Sequence, residues 1–301
     1  MTTPAEVPPT GRRALVLGGG GSTGNAWLIG VVAGLLDGGL DVTGADLVVG
    51  TSAGATAAAQ LGGAAPAELY AAALTPPPPR ATGSLGAGAG GARSGAVADH
   101  LDRMRAAIAA ASDPADLRRR TGAAALERAA AAGDEAQQRW RATVAARLPS
   151  PRWPAHRVLL TAVDARSGQP VTFDRGSGVE LVDAVAASCS SGSAYAVGDG
   201  WYVDGGHRRG ENADLAAGHD RVLVLAPLGG ASWTPPEWGL HLAAQVDELR
   251  AGGSRVETIV PDDDRLFGVH AMDVSLRPEA ARAGFAQGRT LAGRLGGFWD
   301  A

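Results

Sequence analysis

The sequence predicts an α/β fold built on a parallel sheet, and two features of its first 65 residues carry that prediction. Short apolar runs bounded by glycine, typical of buried strands, are each followed by a longer stretch with helical spacing. The order strand, turn, helix occurs twice in succession, as in a parallel α/β sheet. A chain of 301 residues is long enough for one large domain of this class.

The first two strand and helix units are clearly marked. "ALVLG", from Ala14, is a buried strand, and the helix after it places Trp27, Val31 and Leu35 at helical spacing. Gly38 and the glycine after it are a signal for the end of this helix. "ADLVVG" is then the second strand and "AGATAAAQLGG" the second helix.

The same pattern resumes after residue 155, where two strands separated by the turn "RSGQ" are followed by a helix. In chain order the predicted elements are the strands "HRVLLTAVDA" and "PVTFDR", the helix "GVELVDAVAASCS", the strands "GWYVDGG" and "DRVLVLAPL", the helix "WGLHLAAQVDELRAGG", the strand "RVETIVP" and a helix from Pro278 to about Leu295.

We expect residues 1–12 to form a flexible leader and residues 13–301 a single domain with an insert at about 66–150. The leader has prolines where a secretory signal would need an apolar core, which argues against a targeting peptide. The stretch Thr75–Gly95 is rich in proline and glycine and cannot bury enough apolar surface to order itself. We therefore predict that this stretch is mobile.

The second part of the insert, residues 97–148, has the pattern of helices rich in alanine and arginine. Met104 and Ile108 share a stripe, and Asp113 followed by Pro114 is a signal for the start of a helix. Two roles stay open for these helices. They pack against a flank of the core, or they form a movable cover over an active site.

The composition excludes several classes of protein. A net charge of −4 provides no basic surface for nucleic acid. Cys189 is the single cysteine, so an intrachain disulfide and a cysteine-based zinc cluster are excluded. No run of 18 uncharged apolar residues has the character of a membrane span, so we expect a cytoplasmic protein, with transient contact to a membrane surface left open.

The first glycine turn, in "VLGGGGSTGNAW", places Gly19, Gly21 and Gly24 in the pattern G-x-G-x-x-G between a strand and a helix. This is the context of a dinucleotide-binding turn. The second strand, however, ends in Gly-Thr-Ser-Ala-Gly and supplies no acidic residue for a ribose. A P-loop is excluded because no lysine follows the glycines.

The second glycine turn, "GTSAG", fits G-x-S-x-G, the pattern of a nucleophile elbow. At such a turn Ser52 is held in a strained backbone geometry with its hydroxyl raised toward solvent. Gly50 and Gly54 let the strand and the helix pass closely. The N-terminus of the following helix favours developing negative charge. Ser52 is therefore the candidate nucleophile.

If Ser52 is a nucleophile, the first glycine turn has a catalytic role to fill. Acyl transfer builds negative charge on the carbonyl oxygen, and backbone N–H groups aimed at that oxygen stabilise it. Because glycine leaves the main chain bare, we expect the amides of Gly19, Gly20 and Gly21 to line an oxyanion hole. The amide of Ala53, directly after the nucleophile, is the natural further donor.

The serine also needs a proton acceptor within hydrogen-bond reach. Only one strand precedes the elbow, which argues against an ordinary α/β-hydrolase with a late histidine, and His219 and His241 fit structural or exposed roles better. Asp204 ends a strand-like run and is followed by Gly205 and Gly206, so its carboxylate is expected at a strand edge. An Asp-Gly pair is also a common hairpin turn, which is the alternative for Asp204.

Together these motifs resemble those of the bacterial patatin-like phospholipases, a family of serine acyl hydrolases. The glycine turn at residues 19–24, the elbow "GTSAG" and the later "DGG" occur in the family's order. "TAVDARSGQPVTFDR", "SGVELVDAVAASC" and "ENADLA" are similar to its connecting segments. The likeness covers about residues 13–65 and 155–295. It implies a three-layer α/β/α fold without metal or organic cofactor.

The resemblance also implies the chemistry. Ser52 would be the nucleophile and Asp204 its general base in a Ser–Asp dyad, with the oxyanion held by the first glycine turn. His207, three residues beyond the aspartate, is a weaker candidate for assisting. The motif glycines would be Gly24, Gly50, Gly54, Gly205 and Gly206.

The sequence departs from the family's pattern in three places. Thr23 stands where the family usually has arginine or lysine, so a cation beside the oxyanion turn is missing. The helix entry "GNAWLIG" is one residue longer than the commoner pattern, and "SCSSGSAYAV" lacks a proline often found in relatives. These departures bear on substrate choice and rate and leave both dyad residues in place.

The function that we expect is hydrolysis of a lipid or another hydrophobic ester through an acyl-enzyme intermediate. The alternatives are an acyltransferase or thioesterase in a biosynthetic pathway, a non-catalytic lipid-binding protein and a nucleotide-binding protein. Trp27, Trp201 and Tyr202 lie near the motifs and either line a pocket or pack in the core.

Overall fold

The computed structural model describes residues 11–75, 102–230 and 232–300. The stretch after Thr75 that the sequence predicts to be mobile lies outside these residues, as do the first ten residues of the predicted leader. The end of that leader is described. The backbone amide of Arg12 donates to Asp220 Oδ2 at 2.8 Å, and the Arg12 guanidinium donates to Gly218 O.

One mixed sheet of eight strands organises the described residues. Its strands are β1 (Arg13–Leu17), β2 (Leu47–Gly50), β3 (Arg157–Asp164), β4 (Pro170–Phe173), β5 (Tyr195–Val197), β6 (Gly200–Asp204), β7 (Arg221–Leu225) and β8 (Arg255–Ile259). They lie in the order β5-β6-β3-β2-β1-β7-β8, with β4 paired to β3. The strands from β3 to β8 in this order are parallel, whereas β4, β5 and β6 are antiparallel to their neighbours.

Helices cover both faces of this sheet. They are α1 (Gly21–Asp37), α2 (Ala53–Leu61), α3 (Pro66–Leu74), α4 (102–110), α5 (Pro114–Ala132), α6 (Asp134–Ala145), α7 (Leu181–Ser188), α8 (Leu242–Ala251) and α9 (Arg277–Trp299). Leu15 and Leu17 of β1 pack with α1, α2, α7 and α9, whereas Ala14 and Val16 pack with α8. Because successive side chains of a strand point to opposite faces, the predicted three-layer α/β/α fold is confirmed.

Helices α1 and α9 run side by side at close range. A Cβ on Gly284 would lie against the Trp27 carbonyl, one on Gly30 against the Ala281 carbonyl, and one on Gly34 against that of Phe285. Positions further along α1 thus meet positions further along α9, so the two helices are parallel. Their first turns therefore lie next to each other.

Helices α5 and α6 of the predicted insert pack against the flank of the domain. Asp113 caps α5 as predicted, because its side chain accepts from the Asp116 amide at 2.8 Å. Ala125 is 1% exposed, and the Trp140 indole donates to Ala186 O of α7 at 3.1 Å. For these two helices the structure shows the first of the two open roles, packing on the core.

The structure differs from the predicted elements at β5 and at the ends of α8 and α9, among other places. Strand β5 lies inside "SCSSGSAYAV", where three residues are too few for a periodic signal. Helix α8 begins at Leu242 rather than near Trp238, because Gly239 ends a preceding 3₁₀ turn with φ of +66°. Helix α9 continues past Leu295 to Trp299.

Candidate active site

Ser52 lies at a sharp turn between β2 and α2. Its backbone has φ of +53° and ψ of −113°, a conformation that costs a non-glycine residue about 1–3 kcal/mol. A Cβ on Gly50 would lie 2.7 Å from Ala55 Cα, and one on Gly54 would overlap the Leu17 carbonyl. The strand and the helix therefore pass as closely as the elbow pattern predicts.

The pairing register of β3 brings the ends of β2 and β6 together. Leu160 pairs with Gly50 of β2 and with Phe173 of β4. Ala162 pairs with Asp204 of β6 and also with β4. Since a strand has two edges, β4 occupies one of them, and β2 and β6 share the other. These two strands meet end to end, with both of their carboxyl ends at the junction.

This junction brings the two predicted dyad residues together. The Ser52 side chain faces the Asp204 carboxylate closely enough to act on its pKa. Asp204 is 6% exposed, whereas Ser52 is half-buried. Burial raises the pKa of Asp204 to about 6, although the Ser52 side chain and a hydrogen bond from the Gly206 amide, at 2.8 Å, act to lower it. A carboxylate with this pKa is ionised at neutral pH and can accept the proton of the adjacent hydroxyl.

Asn212 links the two strand ends. It is fully buried and has φ of +56°. Its Nδ2 lies 3.0 Å from Thr51 Oγ1, 3.1 Å from Gly205 O and 3.4 Å from Thr161 Oγ1. Thr51 precedes the candidate nucleophile and Gly205 follows the candidate base. One buried amide therefore contacts a sequence neighbour of each candidate dyad residue, and no spacing in "ENADLA" marks this residue as a link between strands.

The first glycine turn lies directly against the nucleophile. A Cβ on Gly19 would lie 3.7 Å from Ser52 Cβ, which is ordinary van der Waals contact. The Gly19 amide donates to Gly210 O at 3.0 Å. Gly19 is therefore a close-approach position rather than the amide donor that the sequence predicts, because a carbonyl from a distant loop occupies its N–H.

Two other amides of this turn and one of the elbow are open to a ligand. No hydrogen bond within the described part of the chain occupies the amides of Gly20, Gly21 and Ala53. A Cβ on Gly20 would lie 2.6 Å from Pro227 Cβ. Gly21 has φ of +65°, and its Cβ would lie 2.6 Å from Ala271 O. Both positions therefore require glycine.

The remaining motif glycines also lie where a side chain would collide. A Cβ on Gly24 would lie 3.1 Å from Pro227 Cβ, and one on Gly205 would overlap Thr161 Oγ1. Gly206 is exposed and contributes its amide to the Asp204 carboxylate. These contacts give a physical reason for each glycine around the dyad.

A cation reaches the first turn of α1 from the far end of the chain. Thr23, which stands where a basic residue is missing, donates its amide to Ala271 O at 3.0 Å. Arg277, the first residue of α9, donates to Ser22 O at 2.8 Å and to Asn25 Oδ1 at 3.2 Å. No local pattern in the sequence indicates this contact, because its partners lie in the first and the last helix.

Of the histidines weighed as catalytic candidates, two have structural contacts and one lies in the turn that follows Asp204. His219 Nδ1 lies 2.9 Å from Ala216 O, and His241 Nε2 lies 3.0 Å from Thr234 O. His207 lies in the 3₁₀ turn directly after the aspartate and is half-buried. The first two fit the structural roles expected for them.

The aromatic side chains near the motifs pack in the core. Trp27 is 1% exposed and meets the Phe267 ring edge-on, with ring centroids 6.2 Å apart. Tyr202 meets the Phe173 ring edge-on at 5.1 Å. Trp201 packs against the small apolar cluster under α5. Of the two roles left open for these residues, the structure shows packing.

Two buried titratable groups lie beside the dyad. Cys189 Sγ donates to Ser52 O at 3.1 Å, and burial raises the pKa of this thiol to about 12, so it stays neutral. Glu211 is 4% exposed, accepts from Gln245 Nε2 at 3.3 Å and packs against Gly18. Burial raises the pKa of Glu211 to about 7. No sequence motif predicts a role for Glu211.

A scan against models of known protein families found no match to the chain, and a search of curated proteins found no significant match. Within residues 11–75, 102–230 and 232–300, no group of three His, Cys, Asp or Glu side chains is placed to hold a metal ion. None of the helices in these ranges has both the length and the apolar character needed to cross a membrane.

Proposed function

We propose that the protein is a serine acyl-ester hydrolase with Ser52 as nucleophile and Asp204 as general base. The observation that carries this proposal is the end-to-end junction of β2 and β6, which sets a strained serine against a buried carboxylate. The open amides of the glycine turn and the elbow supply the third element that acyl transfer needs. The resemblance of the motifs to patatin-like acyl hydrolases supports the same assignment.

In the first half of the reaction Ser52 Oγ attacks the ester carbonyl carbon and its proton passes to the Asp204 carboxylate. Negative charge develops on the carbonyl oxygen, where backbone amides of the glycine turn and of Ala53 stabilise it. The intermediate collapses, the C–O bond to the leaving alcohol breaks, and the alcohol takes the proton from Asp204. The acyl group is then esterified to Ser52.

In the second half a water molecule gives a proton to Asp204 and attacks the acyl carbon. The bond to Ser52 Oγ breaks, and the serine recovers its proton from Asp204. The products are the free acid and the regenerated enzyme. Because the aspartate must be ionised for both attacks, turnover is expected to need a pH above about 6.

A lipid or another hydrophobic ester is the proposed substrate class. The segments that follow β7 and β8 start at the carboxyl edge of the parallel strands, the edge where β2 leads into Ser52. In the described chain these segments carry all the exposed large hydrophobic side chains except Leu36. They are Leu228, Trp233, Val260, Val269 and Met272. An apolar rim around the site favours substrates with long acyl chains.

An ester series tests the function. We expect the wild type to hydrolyse p-nitrophenyl esters of increasing chain length. Ser52→Ala and Asp204→Asn are each expected to lower the turnover rate by roughly 10³-fold or more. Matched controls are Ser177→Ala and Asp199→Asn, exposed residues of the same types, which are expected to keep wild-type rates. Comparable activity in either dyad variant would overturn the assignment.

Two further measurements separate the alternatives. Labelling of Ser52 by a fluorophosphonate probe is expected for a hydrolase, and its failure in folded protein would favour a lipid-binding function. Added alcohol acceptors are expected to divert little product, whereas abundant transfer product would favour an acyltransferase. Unchanged thermal stability with NAD or ATP is expected if the first glycine turn binds no nucleotide.

A further inference from the structure

The Arg277 guanidinium is attached to the first turn of α1. It donates to Ser22 O at 2.8 Å and to Ser22 Oγ at 3.4 Å, and both of its terminal nitrogens lie 3.2 Å from Asn25 Oδ1. Its position is fixed because the first turns of α1 and α9 lie side by side in the close parallel packing of these helices. No carboxylate in the described part of the chain forms an ion pair with it.

This is an unfavourable place for a positive charge. Burial lowers the pKa of Arg277, and the nearby Arg147 lowers it further. The N-terminus of α1 carries the positive end of the helix dipole, which repels a cation. A neutral side chain would avoid all three costs. We therefore look for the role of Arg277 in the residues that its hydrogen bonds hold in position.

Arg277 holds the side chain of Asn25, which also contacts the elbow at Ala53 O. Its Oδ1 accepts from Arg277, and its Nδ2 lies 3.4 Å from Ala53 O and 2.9 Å from Gln60 Oε1 of α2. Asn25 is 5% exposed, so these are its partners in a water-poor setting. A chain of hydrogen bonds thus runs from α9 through α1 to the elbow helix.

We propose that Arg277 is a positioning residue for the oxyanion hole, and this inference rests on the proposed hydrolase function. Through Ser22 and Asn25 it fixes the glycine turn against the elbow helix. The amides of Gly20 and Gly21 and the amide of Ala53 come from two separate segments, and they stabilise one oxygen only if their spacing is held. Arg277 and Asn25 hold that spacing.

The kinetic test compares Arg277→Met with Arg282→Met, which removes an exposed arginine from the same helix. Arg277→Met is expected to lower kcat by about 10- to 100-fold with KM changed less than about threefold, because the loss falls on the transition state. Arg277→Lys keeps one donor to Ser22 O and is expected to recover part of the rate. Arg282→Met is expected to stay within twofold of the wild type.

Asn25→Ala provides a second variant. Because both terminal nitrogens of Arg277 donate to Asn25 Oδ1, the two residues belong to one hydrogen-bond network, and Arg277→Met and Asn25→Ala are expected to give losses that do not add fully in the double variant. Additive losses would contradict a shared role. A kcat for Arg277→Met equal to that of Arg282→Met, in an active wild type, would overturn this inference and leave the hydrolase assignment intact.

Hydrogen exchange gives a readout that does not depend on activity. In Arg277→Met, amides in residues 18–25 and 53–60 are expected to exchange at least about tenfold faster, while those of α8 keep their wild-type rates. Unchanged exchange, or equal acceleration throughout the molecule, would overturn the positioning role. A wild type that hydrolyses no ester and resists a fluorophosphonate would instead overturn the proposed function, and the oxyanion role with it.

Discussion

The parallel and the antiparallel parts of the sheet each supply one residue of the proposed dyad, and they fix it by different means. Ser52 follows β2 in a strand, turn and helix that are continuous in sequence. Asp204 ends β6, whose place in the sheet depends on its pairing with β3. The proposed nucleophile is positioned by local steric contacts, and the proposed base by contacts between distant segments. We therefore expect substitutions around Ser52 and substitutions around Asp204 to have different effects.

The contacts on each side bear this out. Around Ser52 the close neighbours are backbone atoms that meet glycines, as at Gly54 against the Leu17 carbonyl. Around Asp204 the neighbours are polar, and Asn212 reaches across the junction to Thr51 and Gly205. A clash of backbone with backbone can be relieved only by moving a whole strand or helix, whereas removing one side chain from a hydrogen-bond network leaves the surrounding backbone in place.

The largest effect is expected from Gly54→Ala on the parallel side. The new Cβ would overlap the Leu17 carbonyl, so strand and helix would have to separate. We expect the free energy of unfolding in urea to fall by more than about 3 kcal/mol, or the protein not to fold. Gly44→Ala is the control, because a Cβ there meets nothing within 4 Å. Equal stability of the two variants would contradict the steric account.

A smaller effect is expected from Asn212→Gly on the antiparallel side. Glycine tolerates the positive φ, so the change removes only the side chain and leaves Thr51, Thr161 and Gly205 without that partner. The free energy of unfolding is expected to fall by about 2–3 kcal/mol, and ester turnover by about 100-fold. Loss of stability with full turnover per folded molecule would show that Asn212 does not position the dyad.

A gain of stability is expected from Asp204→Asn at neutral pH. The folded pKa of about 6 lies above the ordinary value of 3.8, so the folded state keeps a proton that the unfolded state loses. Wild-type stability therefore falls as the pH rises from about 4 to 6, and the loss persists above 6. Urea unfolding at pH 8 is expected to show the variant about 1–3 kcal/mol more stable, with no difference at pH 3.5.

The smallest effect is expected from Glu211→Gln. Glu211 is buried near the glycine turn and its pKa is raised to about 7, so it is the group most easily mistaken for the base in a pH profile. The isosteric change is expected to leave ester turnover within twofold and its pH midpoint near 6. A shift of that midpoint in Glu211→Gln would assign the titration to Glu211 instead of Asp204.

The same difference decides how much could be predicted from the sequence. The elbow at Ser52 and the helices α1 and α2 depend on contacts within a few residues, and their glycine spacing predicts them directly. The contacts of Asn212 and Arg277 join segments far apart in the chain, and no local pattern encodes them. The sequence also predicts the Gly19 amide as an oxyanion donor. In the structure this amide donates to Gly210 O, and no local pattern reveals that acceptor because it lies in a distant loop.

The proposed mechanism depends on transfer of the Ser52 proton to the Asp204 carboxylate. The most direct measurement is the rate of Ser52 labelling by an uncharged fluorophosphonate between pH 4 and 9, in the wild type and in Asp204→Asn. The wild-type rate is expected to rise through a midpoint near pH 6 to a plateau, and the variant to be at least about 100-fold slower at pH 8 with no such rise. A variant that labels at the wild-type rate at pH 8 would contradict the account.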